Sequence, residues 1–174
     1  MNVTELPLVE IVSLRIPYLC GQEFIEFFNF VELLNKEMIK TDIIIIGAGP
    51  VGLFTIFEAG LLKLKCHLID SLPIPGGQCA EIYPKKPIYD IPGFPSVLAG
   101  ELVDNLMIQA EPFKPGFTLG DAAVSIDKQE DDSFIVTTKS GVEHAAPVVM
   151  IAGGLGVFQP RKPPISNIND FEDK

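Results

Sequence analysis

The chain has 174 residues, enough for one sizeable hydrophobic core, and its apolar runs are too short to cross a membrane. Its formal net charge of −10 and pI near 4.6 disfavour nucleic acid and anionic membranes as partners. The three cysteines have no paired spacing and the two histidines form no cluster, which favours a reducing, cytoplasmic location and no metal site.

Residues 1–37 precede the first strand of the predicted fold, and we interpret them as an N-terminal extension. Within them, Glu23–Leu34 has the apolar spacing of an amphipathic helix, with its phenylalanines along one side. Such a helix could dock a partner or a neighbouring subunit. The alternative, which we favour, is a reading frame extended upstream of a natural start near Met38.

The next segment predicts a strand, a tight turn, a helix and a second strand. Ile43–Ile46 is short and β-branched, which is typical of a strand buried on both faces. Pro50 fits the first turn of a helix, where its missing N–H is not needed. The apolar stretch Val51–Leu62 supplies that helix, and Lys65–Ile69 is the second strand. Together they predict one βαβ unit.

The turn of this unit has the spacing Gly-x-Gly-x-x-Gly of a dinucleotide-binding motif, and an acidic residue follows the second strand. Gly47 allows the tight turn, Gly49 lets the backbone approach a pyrophosphate, and Gly52 lets the helix pack on the sheet. Asp70 is expected to accept hydrogen bonds from the adenosine ribose and to repel a 2′-phosphate. The alternative is a glycine-rich turn in an unrelated α/β protein.

A long segment rich in proline and glycine, residues 71–100, follows without periodic apolar spacing. Long irregular segments of compact domains are usually functional or disordered, and this one has too many aromatic and aliphatic residues for disorder. We therefore expect it to pack against something flat and apolar, for which a flavin ring is a candidate. The residues concerned are Ile82, Tyr83, Ile88, Tyr89, Ile91 and Phe94.

The remaining pattern predicts a helix over Glu101–Ala110 and strands over Ala123–Ile126, Phe134–Thr138 and Val148–Ile151. We expect residues 42–46, 65–69 and 148–151 to be parallel neighbours in one sheet. The strands at 123–126 and 134–138 should form a separate antiparallel layer. The predicted fold class is α/β: a Rossmann-like, dinucleotide-binding type of domain with a parallel sheet and a small antiparallel β-meander.

Five motifs follow one another between residues 76 and 158: Gly76-Gly77-Gln78, Tyr83–Asp90, Gly93-Phe94-Pro95, Glu101-Leu102-Val103 and Ile151–Phe158. With these motifs, the sequence from about Met38 to Lys174 resembles the FAD half of the ferredoxin–NADP reductases of the thioredoxin-reductase-like type. Thioredoxin reductases share part of this pattern but lack the segment Tyr83–Asp90, which favours the ferredoxin–NADP reductases.

The resemblance implies an FAD site and assigns its residues one by one. Backbone around Gly47, Gly49, Val51 and Gly52 would hold the pyrophosphate. Further positions are implied as follows: Asp70 at the adenosine ribose, Gln78 near the ribityl–flavin portion, Tyr83 near the isoalloxazine, Val124 with its backbone at the adenine, and Phe158 lining the flavin site. Cys79 would pack near the flavin, and no residue of the chain is implied as a catalytic acid, base or nucleophile.

The resemblance also implies an activity: electrons pass from NADPH through FAD to ferredoxin or flavodoxin, in an enzyme that is a homodimer in its full-length form. The alternatives are a thioredoxin-reductase-like disulfide reductase, a plain NAD-binding dehydrogenase domain and a non-catalytic FAD-binding remnant.

The sequence carries no second nucleotide-binding glycine motif. We therefore expect an incomplete FAD-binding domain over residues 38–165 and the start of a link to an NADPH-binding domain over 166–174. On this interpretation the chain is a fragment that is inactive alone.

Overall fold

The computed structural model describes residues 38–156, and these contain a parallel sheet, an antiparallel sheet and helices packed against them. The predicted amphipathic helix at Glu23–Leu34, Phe158 and the predicted boundary at residue 165 lie outside the described residues. In chain order the elements are β1 (Ile39–Lys40), β2 (Ile43–Ile46), α1 (Pro50–Leu61), β3 (Cys66–Asp70), α2 (Gln78–Glu81), β4 (Pro87–Ile88), β5 (Val97–Leu98), α3 (Ala99–Ala110), a 3-10 helix (Glu111–Phe113), β6 (Gly116–Leu119), β7 (Ala123–Lys128), β8 (Phe134–Thr138), β9 (Glu143–Ala146) and β10 (Val148–Ile151).

The parallel sheet has the strand order β10-β2-β3-β6. Ile43 is paired with Cys66 on one side and with Val148 on the other, and both pairings are parallel. The predicted parallel neighbours are therefore confirmed. The fourth strand, β6, was not predicted because its sequence, Gly116–Leu119, is short and begins with glycine, which is uncommon in strands.

Strand β2 is buried on both faces, as its sequence predicted. Ile45 packs in the cluster formed with α1 and α3, whereas Ile44 packs with Ile69, Val136 and Ala146 on the side of the antiparallel sheet. Both isoleucines have no exposed surface. Because side chains alternate between the faces of a strand, two adjacent buried residues require cover on each side of the sheet. Helices provide it on one face and the antiparallel sheet on the other.

The antiparallel sheet has the order β1-β9-β8-β7 and is a separate layer from the parallel sheet, as predicted. The pairings β7–β8 and β8–β9 are antiparallel, and β1 joins β9 in parallel. The sequence did not predict β9, since Glu143–Ala146 contains no β-branched or aromatic residue. Strand β9 forms because its backbone pairs with β1 on one side and with β8 on the other, and because the side chains of His144 and Ala146 are buried.

The segment 71–100 is less irregular than its sequence indicated. It contains α2 and a two-stranded antiparallel ribbon, β4 with β5. Helix α3 begins two residues before the predicted start at Glu101. The side chains of Ile82, Tyr89 and Phe94 are exposed, so the expected packing of these three against an apolar surface does not occur among the described residues.

Neither α1 nor α3, with twelve residues each, has the length needed to cross a bilayer, and the same holds for every helix within residues 38–156.

The two histidines of the chain meet where the sheets face each other. The Thr118 hydroxyl lies 2.8 Å from Nε2 of His67 on β3 and 2.9 Å from Nε2 of His144 on β9. A single hydroxyl between two ring nitrogens donates to one and accepts from the other. Burial lowers the pKa of His67 to about 4, with a smaller contribution from the charge of His144.

Burial also lowers the pKa of His144, although the carbonyl groups of Val136 and Val142 and the carboxylate of Asp121 oppose this effect. The Nδ1 atom of His144 is buried and has no hydrogen-bond partner within the described residues. Both imidazoles are therefore held neutral, and they join the parallel sheet to the antiparallel sheet through Thr118.

We expect this cluster to make the folded state sensitive to acid. An unfolded histidine binds a proton below about pH 6.5, whereas folded His67 binds one only near pH 4, so stability is lost as the pH falls between these values. Between about pH 6.5 and pH 5 the loss for His67 is about 2 kcal/mol. Urea unfolding of the 174-residue chain at several pH values from ~7.5 to ~5 measures it. The double variant His67→Gln, His144→Gln should show a flatter dependence, and an equal slope in both proteins would contradict the assignment.

Candidate functional site

A cavity of about 420 Å³ opens at the carboxyl ends of β2 and β3. Ligands bind at this edge in open parallel sheets, and the volume lies within the range of small-molecule sites. Six of the residues predicted from the sequence line it: Gly47, Gly49, Val51, Asp70, Gln78 and Tyr83. Within residues 38–156 no lysine, arginine or histidine lines it, so the groups that this part of the chain offers a phosphate are backbone N–H groups and neutral side chains.

The glycines of the turn have different environments. Gly47 has a φ of +109°, and a Cβ at this position would lie 2.5 Å from the carbonyl oxygen of Ala152. A Cβ on Gly52 would overlap the carbonyl oxygen of Gly47. At both positions a side chain would collide with a neighbouring backbone carbonyl, so these segments can pack this closely only with glycine there. A Cβ on Gly49 would meet nothing within 4 Å, so its small size leaves space open in the cavity.

Helix α1 directs its amino end at this space. Its N-cap is Gly49, which provides no side-chain cap, and its first turn contains no acidic residue. The first N–H groups of a helix have no partner within the helix, and the helix dipole places partial positive charge there. Because neither the N-cap nor the first turn supplies a side chain that neutralises this charge, the first turn can receive an anionic group such as a pyrophosphate.

Asp70 ends β3 beside the glycine turn, and the turn itself supplies one of its hydrogen-bond donors. Its Oδ2 accepts from the backbone N–H of Ala48 at 2.6 Å, and its Oδ1 accepts from the N–H of Leu72 at 2.8 Å. The Ser71 hydroxyl lies 3.5 Å from Oδ1. An ionised carboxylate has about four acceptor positions, so Asp70 retains capacity for further donors such as ribose hydroxyls.

Gln78, Cys79 and Tyr83 line the opposite wall of the cavity, on α2 and just after it. Burial raises the pKa of the Tyr83 hydroxyl, and the charge and hydrogen bond of the neighbouring Cys79 thiol raise it further. The Lys86 ammonium lies 5.2 Å from the centre of the Tyr83 ring, within cation–π distance. Tyr83 is thus positioned by neighbours on two sides.

Two predicted residues are placed differently, and a third is not described. Gly52 lies behind the turn and Val124 beside the cavity, and neither lines it. Val124 is the extra residue of a β-bulge, because Ala123 and Ser125 are paired with the consecutive residues Thr138 and Thr137. Such a bulge interrupts the ladder of backbone hydrogen bonds, so the backbone of Val124 is not fixed by regular pairing. Phe158 lies outside the described residues.

Sequence reasoning missed several residues of the site. Ala48 is completely buried and joins the glycine turn to its surroundings, and Ala122 and Ala123 line the cavity from the start of β7. A Cβ on Gly77 would lie 3.2 Å from the Cα of Gly49, so the Gly-Gly pair at 76–77 packs on the turn. Alanine carries no chemical signal of its own. The spacing of Gly77 from the first motif also gives no indication of this contact.

Both described cysteines, Cys66 and Cys79, are free thiols. Cys66 is buried in β3, where burial and the nearby Asp42 raise its pKa to about 11, so the thiol stays protonated at neutral pH. It is a core residue, as its position in the predicted strand suggested.

Curated relatives match most of the chain. It is 77% identical over 137 residues to ferredoxin–NADP reductase 1 of Christiangramia forsetii. The aligned region covers 79% of this chain and 39% of that protein. It is 68% identical over 137 residues to the ferredoxin–NADP reductase of Flavobacterium johnsoniae, with the same two coverages. The chain thus spans about two fifths of the length of these relatives. No protein-family profile matches it.

Solved structures agree on the architecture. Thioredoxin reductase from Streptococcus pyogenes superposes with a TM-score of 0.59 at 23% identity, covering 74% of this chain and 39% of that one. At this identity the likeness concerns the fold alone. Over the matched residues the chain is therefore homologous to the ferredoxin–NADP reductases, on the Rossmann-type fold of the thioredoxin-reductase-like flavoenzymes.

Proposed function

We propose that this chain binds FAD as the flavin-carrying part of an oxidoreductase of the ferredoxin–NADP reductase type. The observation that carries the proposal is the open space at Gly49 in front of a helix N-terminus that has no side-chain cap and no acidic residue in its first turn. A dinucleotide pyrophosphate is the ligand this combination suits, because it needs close backbone approach and several N–H donors.

The remaining parts of FAD would be held by residues around the cavity. Asp70 would accept from the adenosine ribose, and the backbone at Val124 would meet the adenine. Gln78 would bond the ribityl–flavin portion and Tyr83 would pack beside the isoalloxazine, with Phe158 lining the same end. The free acceptor capacity of Asp70 and the bulge at Val124 support the first two assignments.

When bound, FAD would supply the redox chemistry, by accepting a hydride from NADPH and passing on the electrons to ferredoxin or flavodoxin. The protein would bind and orient the cofactor, and no side chain is assigned as acid, base or nucleophile. The names of the relatives support ferredoxin and NADPH as partners.

We further propose a homodimeric full-length enzyme in the cytoplasm, where free thiols such as Cys66 and Cys79 persist. We also propose the boundaries given above: an extension over 1–37, an FAD-binding domain over 38–165 and a link from 166.

The second candidate is a thioredoxin-reductase-like disulfide reductase, favoured by the fold of the superposed structure. It ranks lower because the far closer sequence relatives carry the ferredoxin–NADP reductase name. Transfer of electrons to a disulfide substrate, and not to ferredoxin, by a full-length enzyme containing this sequence would reverse the order.

We expect Gly49→Val to abolish FAD retention while leaving the folded chain intact. The φ of −72° and ψ of 179° at Gly49 suit a β-branched residue, and its Cβ would enter open space on the side where the pyrophosphate is proposed to bind. Fluorescence titration with FAD measures affinity, and thermal unfolding without FAD is the control. Gly49→Ala should give a smaller loss. Unchanged FAD affinity in Gly49→Val would rule out the pyrophosphate position.

We also expect the purified 174-residue chain to show no NADPH-dependent reduction of ferredoxin or of a dye. Hydride transfer requires the nicotinamide to be held about 3–3.5 Å from the flavin, and the described residues contain one dinucleotide cradle, which we assign to FAD. A fusion of this chain to the remaining sequence of a full-length relative should be active and is the positive control. Sustained turnover by the 174-residue chain alone would contradict the expectation.

A further inference from the structure

The peptide group of Ala48 is held on both sides at the centre of the glycine turn. Its N–H donates to Asp70 Oδ2 at 2.6 Å, and its carbonyl oxygen accepts from the N–H of Gly76 at 2.7 Å. Ala48 has no exposed surface, so water cannot replace either partner. The shape of the turn therefore depends on these two hydrogen bonds.

Asp70 extends this connection to two further segments. Its Oδ1 accepts from the N–H of Leu72 at 2.8 Å, which fixes the chain as it leaves β3. Its backbone carbonyl accepts from the N–H of Asp121 at 3.0 Å, in the connection between β6 and β7. One residue thus links the glycine turn to two of the other loops around the cavity, the one after β3 and the one before β7.

Only a carboxylate can make the two side-chain contacts together. Both partners are backbone N–H donors, and each needs an acceptor. An asparagine has one acceptor oxygen, and its amide NH₂ would face the second N–H group, donor against donor. A buried N–H left without an acceptor is costly, so the turn would have to change shape.

We propose that Asp70 is a positioning residue that fixes the glycine turn through the Ala48 N–H, so that the phosphate cradle is formed before a cofactor enters. This role is separate from the contact with the adenosine ribose, and it rests on the proposed function of the site as a dinucleotide cradle. A turn that is already ordered gives higher affinity for the cofactor, because the entropic cost of ordering the turn is met during folding and not during binding.

The two roles of Asp70 can be separated with a ligand that lacks the ribose contact. The affinities of the wild-type chain and of Asp70→Asn are measured for FAD and for an FAD analogue without the two adenosine ribose hydroxyls. A ribose contact alone predicts that the mutation has no effect on binding of the analogue. The positioning role predicts that Asp70→Asn weakens the analogue by about tenfold or more. Equal affinity of both proteins for the analogue would overturn the proposal.

A second measurement needs no ligand. In the cofactor-free chain, Asp70→Asn should speed amide hydrogen exchange at Ala48 and Leu72, while Ile45 in the core of β2 keeps its protection. Asp104→Asn, at an exposed position of α3, is the matched control and should change neither exchange nor affinity. Unchanged exchange at Ala48 in Asp70→Asn would also overturn the proposal. If the wild-type chain binds neither ligand, the proposed function fails, and the exchange rates still test the positioning role.

Discussion

The parallel, in-register pairing of β2 with β3 and β10 determines where every loop of the site lies. Because the three strands run in the same direction, the turns after Ile46, Asp70 and Ile151 emerge at one edge of the sheet. Hydrogen bonds continue beyond the strand ends: Gly47 donates to the carbonyl of Ile69 and Ala152 donates to that of Ile46, both at 2.8 Å. The contact of Gly47 with Ala152 then leaves no room for a side chain between the turns. A shift of register by one residue would separate these turns and exchange the two buried faces of β2.

The chemistry that this arrangement supports depends on backbone more than on side chains. Among residues 38–156 no basic residue lines the cavity, and its end at the glycine turn is bordered by peptide units of the first turn of α1. The absence of a side chain at Gly49 keeps the backbone of this turn accessible from the cavity, since a Cβ there would project into open space.

The parts of the fold that could be predicted from the sequence are those that depend on neighbours in the chain. The isoleucine run, the glycine spacing and Pro50 define a strand, a turn and a helix within twenty residues, and each element agrees with the next. Strands β1, β6 and β9 could not be predicted, because they depend on partners far away in sequence. The same is true of Ala48, whose importance comes from Asp70 and Gly76 and not from its own chemistry. The aromatic content of the segment 71–100 indicated order correctly, and its expected packing against a flavin ring stays a prediction, with Tyr89 exposed among the described residues.

The histidine pair gives the protein a built-in spectroscopic probe. His67 and His144 are the only histidines in the sequence, and their ring centres lie 4.8 Å apart across the boundary between the two sheets. Ring protons of two imidazoles this close influence each other's magnetic environment, so their NMR signals depend on how the antiparallel layer sits on the parallel one. No label and no added tryptophan is needed to observe this boundary. Separation of the layers, whether by heating, denaturant or substitution, would be visible as two histidine signals returning to the positions of free imidazole.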